Sequence, residues 1–198
     1  MQVRIHTFLY TDLVGSTPDW ERNPVAMRER VERHNAIVTE QVQAHGGRVF
    51  KSLGDGLANV FETAHEALRA AYHAQAGCAR EGLQVRMGVH SGPAEEGALD
   101  YQGHALNRVA RLCGMAATDQ VLVSQACREL AMDLLESPVE LLPGGTCLPK
   151  GVSRPEPVFR LSGPDLDGGP MLPSLARTNL VPYTGTFFGR EAERSRLH

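Results

Sequence analysis

Residues 48–61, RVFKSLGDGLANVF, decide the fold. Two short β-prone runs flank Asp55-Gly56, the strongest short-range signal for a hairpin, so the segment reads as two antiparallel strands with Asp55 at the tip. On its N-terminal side, Met27, Val31, Val38 and Val42 recur at helical spacing from Pro24 to about Ala44, and Gly46-Gly47 supplies a stop. Before that helix, residues 3–11 alternate and then run apolar as a first strand, ending at Asp12 and a small Gly-Ser-Thr loop. On the C-terminal side, residues 64–80 are Ala-rich with a helical period. LQVRMGVHSG (83–92) then reads as a strand and GHALNRVARLCGMA (103–116) as a helix. VLVS (121–124), a helix around 124–135 and short strands near 138–142 and 157–161 extend the unit. Strand, helix, hairpin, helix and strand in that order predict an α+β sandwich, with helices on one face of a mainly antiparallel sheet.

The chain of 198 residues, 42% hydrophobic and 22% charged, suits one domain plus an appendage. The first unit is expected to close near residue 162. SGPDLDGGPMLPSLARTNLVP (162–182) is rich in Gly and Pro and opens a linker over residues 163–198. A net charge of −3 argues against an extended footprint for nucleic acid or an anionic membrane. No apolar run reaches the roughly 18 residues of a spanning helix, and no basic-then-apolar leader opens the chain, so a cytoplasmic location is expected. Four scattered cysteines without a CxxC pair suggest neither disulfides nor a zinc knuckle, and the eight dispersed histidines read as structural or surface residues.

Asp12 at a strand end and Asp55 at a hairpin tip can reach one edge of such a sandwich. Two convergent carboxylates suit a hard cation: magnesium is held by one or two carboxylates plus substrate phosphates, whereas calcium wants more protein oxygens. The loop through Gly15, Ser16 and Thr17 can turn backbone N–H groups toward phosphate oxygens. Taken singly, each feature has a plainer explanation, a helix start at residues 12–17 and turn chemistry at Asp55. In DYQGHALNRVARL (100–112), Gly103, Asn107 and Arg111 share one helical stripe, and Leu106, Val109, Ala110 and Cys113 form an apolar one expected to pack inward. Arg111 offers a fixed fork for phosphate oxygens, although a solvated polar face would look the same. Spacing alone assigns nothing to Lys51 or Asp100.

Together, FLYTDLVGST (8–17), FKSLGDGLANVF (50–61), VRMGVHSG (85–92), DYQGHALNRVARL (100–112) and LPKGVSRPEPVFRL (148–161) resemble the catalytic domain of class III nucleotidyl cyclases over about residues 4–162. The resemblance implies a ferredoxin-like βαββαβ core with C-terminal additions, inactive as a monomer, with active sites shared across a head-to-tail homodimer. It implies that Asp12, Asp55 and the Leu13 backbone hold two divalent cations, Mg²⁺ or Mn²⁺. Lys51 and Asp100 match the purine-selecting pair, Asn107 and Arg111 the groups that orient the ribose and stabilise the transition state, and Lys150 the contact to the terminal phosphates.

A lysine donor and an aspartate acceptor complement adenine N1 and N6, whereas guanine reverses that pattern. ATP is therefore the expected substrate and 3′,5′-cyclic AMP the expected product. The alternative is a catalytically weak or silent regulatory module, against which stands the completeness of the motif residues. A further rival keeps the two-metal carboxylates in a diguanylate cyclase or polymerase-like palm, against which stands the 100–112 arrangement. The terminal stretch YTGTFFGREAERSRLH (183–198) resembles the junction to an NTPase module in bacterial multidomain regulators, so a fused NTPase domain is expected in the full-length protein.

Overall fold

A computed structural model describes residues 3–97, 100–147 and 155–172. Strand β1 (Val3–Leu13) is followed by α1 (Ser16–Arg22), α2 (Pro24–Ala44), β2 (Arg48–Ser52), β3 (Leu57–Phe61), α3 (Ala64–Arg80) and β4 (Val85–Glu96). Then come β5 (Tyr101–Gln102), α4 (His104–Met115), β6 (Val121–Ser124), α5 (Gln125–Ala131), β7 (Glu140–Cys147) and β8 (Glu156–Ser162). The sheet order is β2-β3-β1-β4-β6-β8-β7, with β5 paired to β4, and among the described strands only β4 and β6 run parallel. The first four positions are those of a ferredoxin-like core, and β6, β7 and β8 are added beyond β4.

The expected 48–61 hairpin and the helices at 24–44 and 64–80 are present. Pro24 takes the first turn of α2, where its missing N–H costs nothing, and the Asn23 side chain accepts the Ala26 N–H at 3.2 Å. The short α1 is the helix start that residues 12–17 also allowed; the two-residue β5, which pairs with β4, was not anticipated. The helix expected around 124–135 ends at Ala131.

Helices lie on both faces of the sheet rather than on one. Alternate residues of the strands feed the two sides. Leu9, Leu13, Leu57, Phe61, Val85, Met87 and Val89 pack under α2, α3 and α5, while Phe8, Tyr10, Ala58, Val60 and Ala94 pack under α4. At Gly88 on β4 a Cβ would lie 2.4 Å from the Cys113 backbone nitrogen, so the bare strand lets α4 settle directly on the sheet. The inward stripe of α4 is Ala105, Val109, Leu112 and Cys113, and Ala110 is exposed. Periodicity located the helix; close packing at Gly88 decided its rotation and side.

Residues beyond β8 are tied back. The Gln120 side chain donates to the Gly168 and Pro170 carbonyls at 2.9 and 2.7 Å, and the Leu172 N–H to Gly144 O at 2.8 Å. Among the described residues no helix is long and apolar enough to cross a membrane.

Candidate active site

Asp12 and Asp55 come from segments 43 positions apart and are brought together by backbone packing. The Leu13 N–H donates to Asp55 O at 3.3 Å, and the Leu57 N–H donates to the Thr11 hydroxyl at 3.0 Å. These bonds clamp the β2–β3 turn onto the end of β1. Gly56 makes the clamp possible, since a Cβ there would sit 1.9 Å from the Thr11 carbonyl oxygen. Both carboxylates act on two of the same neighbours. The Cys113 thiol is pushed up to about 12 by burial first, with both Asp12 and Asp55 adding to the effect. The buried His34 on α2 is held below the usual imidazole range by desolvation, against an opposing pull from the same two carboxylates.

Asp12 has a partner that sequence reasoning missed. Arg86 stands directly opposite it in the β1–β4 register, and its Nε and Nη2 reach Asp12 Oδ2 at 2.6 and 2.5 Å. The only sequence signal was the arginine within VRMGVHSG; its pairing to a strand 74 residues away is a matter of register. Gly15, with φ 74°, precedes α1, whose first residues are the buried Ser16 and the exposed Thr17.

Lys51 and Asp100 also meet, with Nζ donating to Oδ2 at 2.8 Å. The ladder of β2 on β3 shifts register between Val49 and Lys51, so Arg48 and Lys51 both sit opposite residues of the α4-facing side, Val60 and Ala58. Without that bulge the odd spacing would send them to opposite faces. Hydrogen bonding from Lys51 and then from the Tyr101 N–H holds the Asp100 carboxyl below the usual carboxylate range.

Asn107 is exposed and Arg111 half-buried on α4. Arg111 lines a cavity with His90, Arg108, Ser124, Cys147 and Glu156, on the β8 flank of the helix, where Arg108 pairs with Glu156 at 3.1 Å. Asp12 lies on the β1 side. Lys150 falls outside the described residues.

Among the described residues no cluster of three or more His, Cys, Asp or Glu could hold a metal by itself. The donor set that exists, two convergent carboxylates with the Leu13 backbone beside them, consists of hard oxygens. It fits a magnesium- or manganese-type ion that keeps waters and takes its remaining ligands from a phosphorylated substrate.

No family model matches the chain. An uncharacterized protein of Mycobacterium tuberculosis is 31% identical over 196 residues, covering 96% of this chain and 68% of the relative. An adenylate cyclase of Schizosaccharomyces pombe is 31% identical over 147 residues, covering 59% of this chain and 9% of that much longer protein. Among solved structures, an adenylate/guanylate cyclase/hydrolase from Silicibacter pomeroyi superposes with a TM-score of 0.70 at 26% identity, over 83% of this chain and 99% of that one. The chain belongs to the class III nucleotidyl cyclase catalytic domain family.

Proposed function

We propose that the chain is an adenylyl cyclase that converts ATP to 3′,5′-cyclic AMP and pyrophosphate at sites completed by two copies of the chain. The observation that carries the choice of ATP is the 2.8 Å Lys51–Asp100 pair. Its donor faces adenine N1 and its acceptor faces the N6 amino group, whereas guanine O6 and N1–H would leave both protein groups mismatched. Each unsatisfied polar group costs about 1–3 kcal/mol, which corresponds to tens- to hundreds-fold selectivity.

In the reaction the ribose 3′-oxygen bonds to the α-phosphorus, the bond from that phosphorus to the bridging oxygen breaks, and pyrophosphate departs while the hydroxyl proton passes to solvent. Asp12, Asp55 and the Leu13 backbone oxygen would hold divalent cations, whose contribution is to acidify the hydroxyl and neutralise the phosphates. Asn107 orients the ribose, and Arg111 offsets charge developing on the α-phosphoryl group. Lys150 contacts the terminal phosphates, and the Gly15-Ser16-Thr17 turn offers them backbone N–H groups. Arg86 is paired with Asp12 Oδ2, an oxygen it would have to share with or yield to a cation held there.

A shared site is supported by the placement of Arg111 in the cavity on the β8 flank of α4, whereas Asp12 stands at the end of β1. A two-fold homodimer would place each chain's arginine against the other's carboxylates and build two sites. The alternative, a weak or silent regulatory module, draws on the Arg86–Asp12 pair, which occupies a metal-ligating oxygen.

The test is to incubate the chain with ATP or GTP in Mn²⁺ and in Mg²⁺ and to separate the products by chromatography. Asp12→Ala and Arg111→Ala should each be inactive. Mixed, they should regain up to one working site per heterodimer. Guanosine product would overturn the base assignment; no product at high protein concentration in Mn²⁺ would favour the silent module.

A further inference from the structure

Behind the Lys51–Asp100 pair lies a second connection between the same two elements. Arg48, on β2 with Lys51, donates from Nη2 to the Tyr101 hydroxyl at 2.8 Å and to Glu96 Oε1 at 3.3 Å. The Tyr101 hydroxyl in turn donates to Glu96 Oε1 at 2.9 Å. The phenol therefore both accepts and donates, and Tyr101 is 4% exposed. Its ring is wedged edge-on among His6, Phe8 and Phe50 at centroid distances of 5.1, 5.5 and 5.1 Å, with the Arg48 guanidinium 5.5 Å from its centroid. The backbone of this residue carries the N–H that Asp100 Oδ1 accepts at 2.8 Å.

In the free protein Lys51 gives Asp100 one of the three N–H groups of its ammonium, which leaves donors on Lys51 and lone pairs on Asp100 for a purine edge. The spacing of the two side chains follows the distance between β2 and the β4–β5 hairpin. Because β5 adds only two residue pairs to the ladder of β4, that distance is held from behind by the Arg48–Tyr101–Glu96 connection and the Phe50–Tyr101 ring contact.

We propose that Arg48, Tyr101 and Glu96 are positioning residues that hold Lys51 and Asp100 at the spacing of an adenine edge, and so set the preference of the site for adenine over guanine. This rests on Lys51 and Asp100 being the base-recognition pair. The three residues act through the placement of two side chains, and their loss loosens the discrimination between bases.

The experiment measures displacement of a fluorescent ATP analogue by ATP and by GTP in Mn²⁺, alongside kcat and KM for both nucleotides. The variants are Arg48→Gln, Arg48→Lys, Tyr101→Phe and Lys51→Ala. Arg48 is half-exposed and Tyr101→Phe keeps the ring, so both are compatible with folding, and circular dichroism checks it. Arg48→Gln and Tyr101→Phe should each narrow the ATP-over-GTP ratio by about five- to ten-fold, mainly through KM and displacement affinity, and Arg48→Lys should recover part of the loss.

A purely structural role would weaken both nucleotides alike. An unchanged ratio in Arg48→Gln and Tyr101→Phe, with Lys51→Ala collapsing it, overturns the positioning role and leaves the recognition pair standing. An unchanged ratio in Lys51→Ala overturns the recognition pair and the positioning role with it.

Discussion

The two faces of the sheet use the same strands for opposite purposes. Under α2, α3 and α5 the residues are mostly Leu, Val, Ala and Met with Phe61 and Tyr72 among them, packed to near-zero exposure around Leu9, Leu68 and Val89. Under and beside α4, the intervening positions of the same strands carry Phe8, Tyr10 and Asp12 on β1 and Arg86 and His90 on β4. There the apolar floor is aromatic and its margin is charged. One face holds the strands in place, and the other presents chemistry on strands already fixed. A site built this way is rigid without needing to be dry.

If the faces are divided so, damage to each should read differently. The largest effect is expected from Asp12→Ala, which should lower cyclase activity by roughly a hundred-fold or more while shifting the melting temperature little, because only a half-exposed ion pair is lost. On the other face, Leu68→Ala should cost about 2–5 kcal/mol in denaturant unfolding, with activity falling only as the folded fraction falls. Equal activity losses at equal stability loss would break the comparison.

Gly56→Ala crosses the divide. Its Cβ cannot coexist with the Thr11 carbonyl 1.9 Å away, so the hairpin must back off β1, separating Asp55 from Asp12. Unfolding should register a cost of about 1–3 kcal/mol, and the metal concentration for half-maximal activity should rise about ten-fold. Unaltered metal dependence would show that the clamp does not set the carboxylate spacing.

A pH titration of stability sharpens the comparison from the chemical face. His90 is buried on its Ser124 hydrogen bond, with its pKa lowered to about 4 by desolvation and then by Arg108. The folded state therefore binds fewer protons than the unfolded one between pH 6.5 and about 4. Stability from this group is complete above 6.5, is lost as pH falls through that window and is flat below it. His90→Asn should reduce the slope of stability against pH there, by about 1–3 kcal/mol in total. The smallest effect is expected at Asn23→Ala, which removes the α2 cap: a loss of about 1 kcal/mol in thermal unfolding, with the ATP-over-GTP ratio untouched.

Much of this was legible in the chain. Hairpin chemistry at Asp55-Gly56, helical periods at 24–44 and 64–80 and the cyclase-like motifs are local, so short windows of sequence carry them. Asp12, Asp55, Lys51, Asp100, Asn107 and Arg111 could all be named before any fold was known. Arg48, Glu96 and Tyr101 could not, because nothing within a few residues of each distinguishes it from an ordinary edge charge or core aromatic.

The sequence by itself determined which segments become strands and helices and which side chains are chemically able to act. Only the tertiary structure decided how they face one another: the bulge that swings Lys51 toward Asp100, the register that sets Arg86 against Asp12, and the close approach at Gly88 that seats α4 on the second face. The reason is physical. Periodicity is encoded by neighbours along the chain, whereas register and packing side are chosen by contacts between residues tens of positions apart, where one residue of slip reverses every side chain.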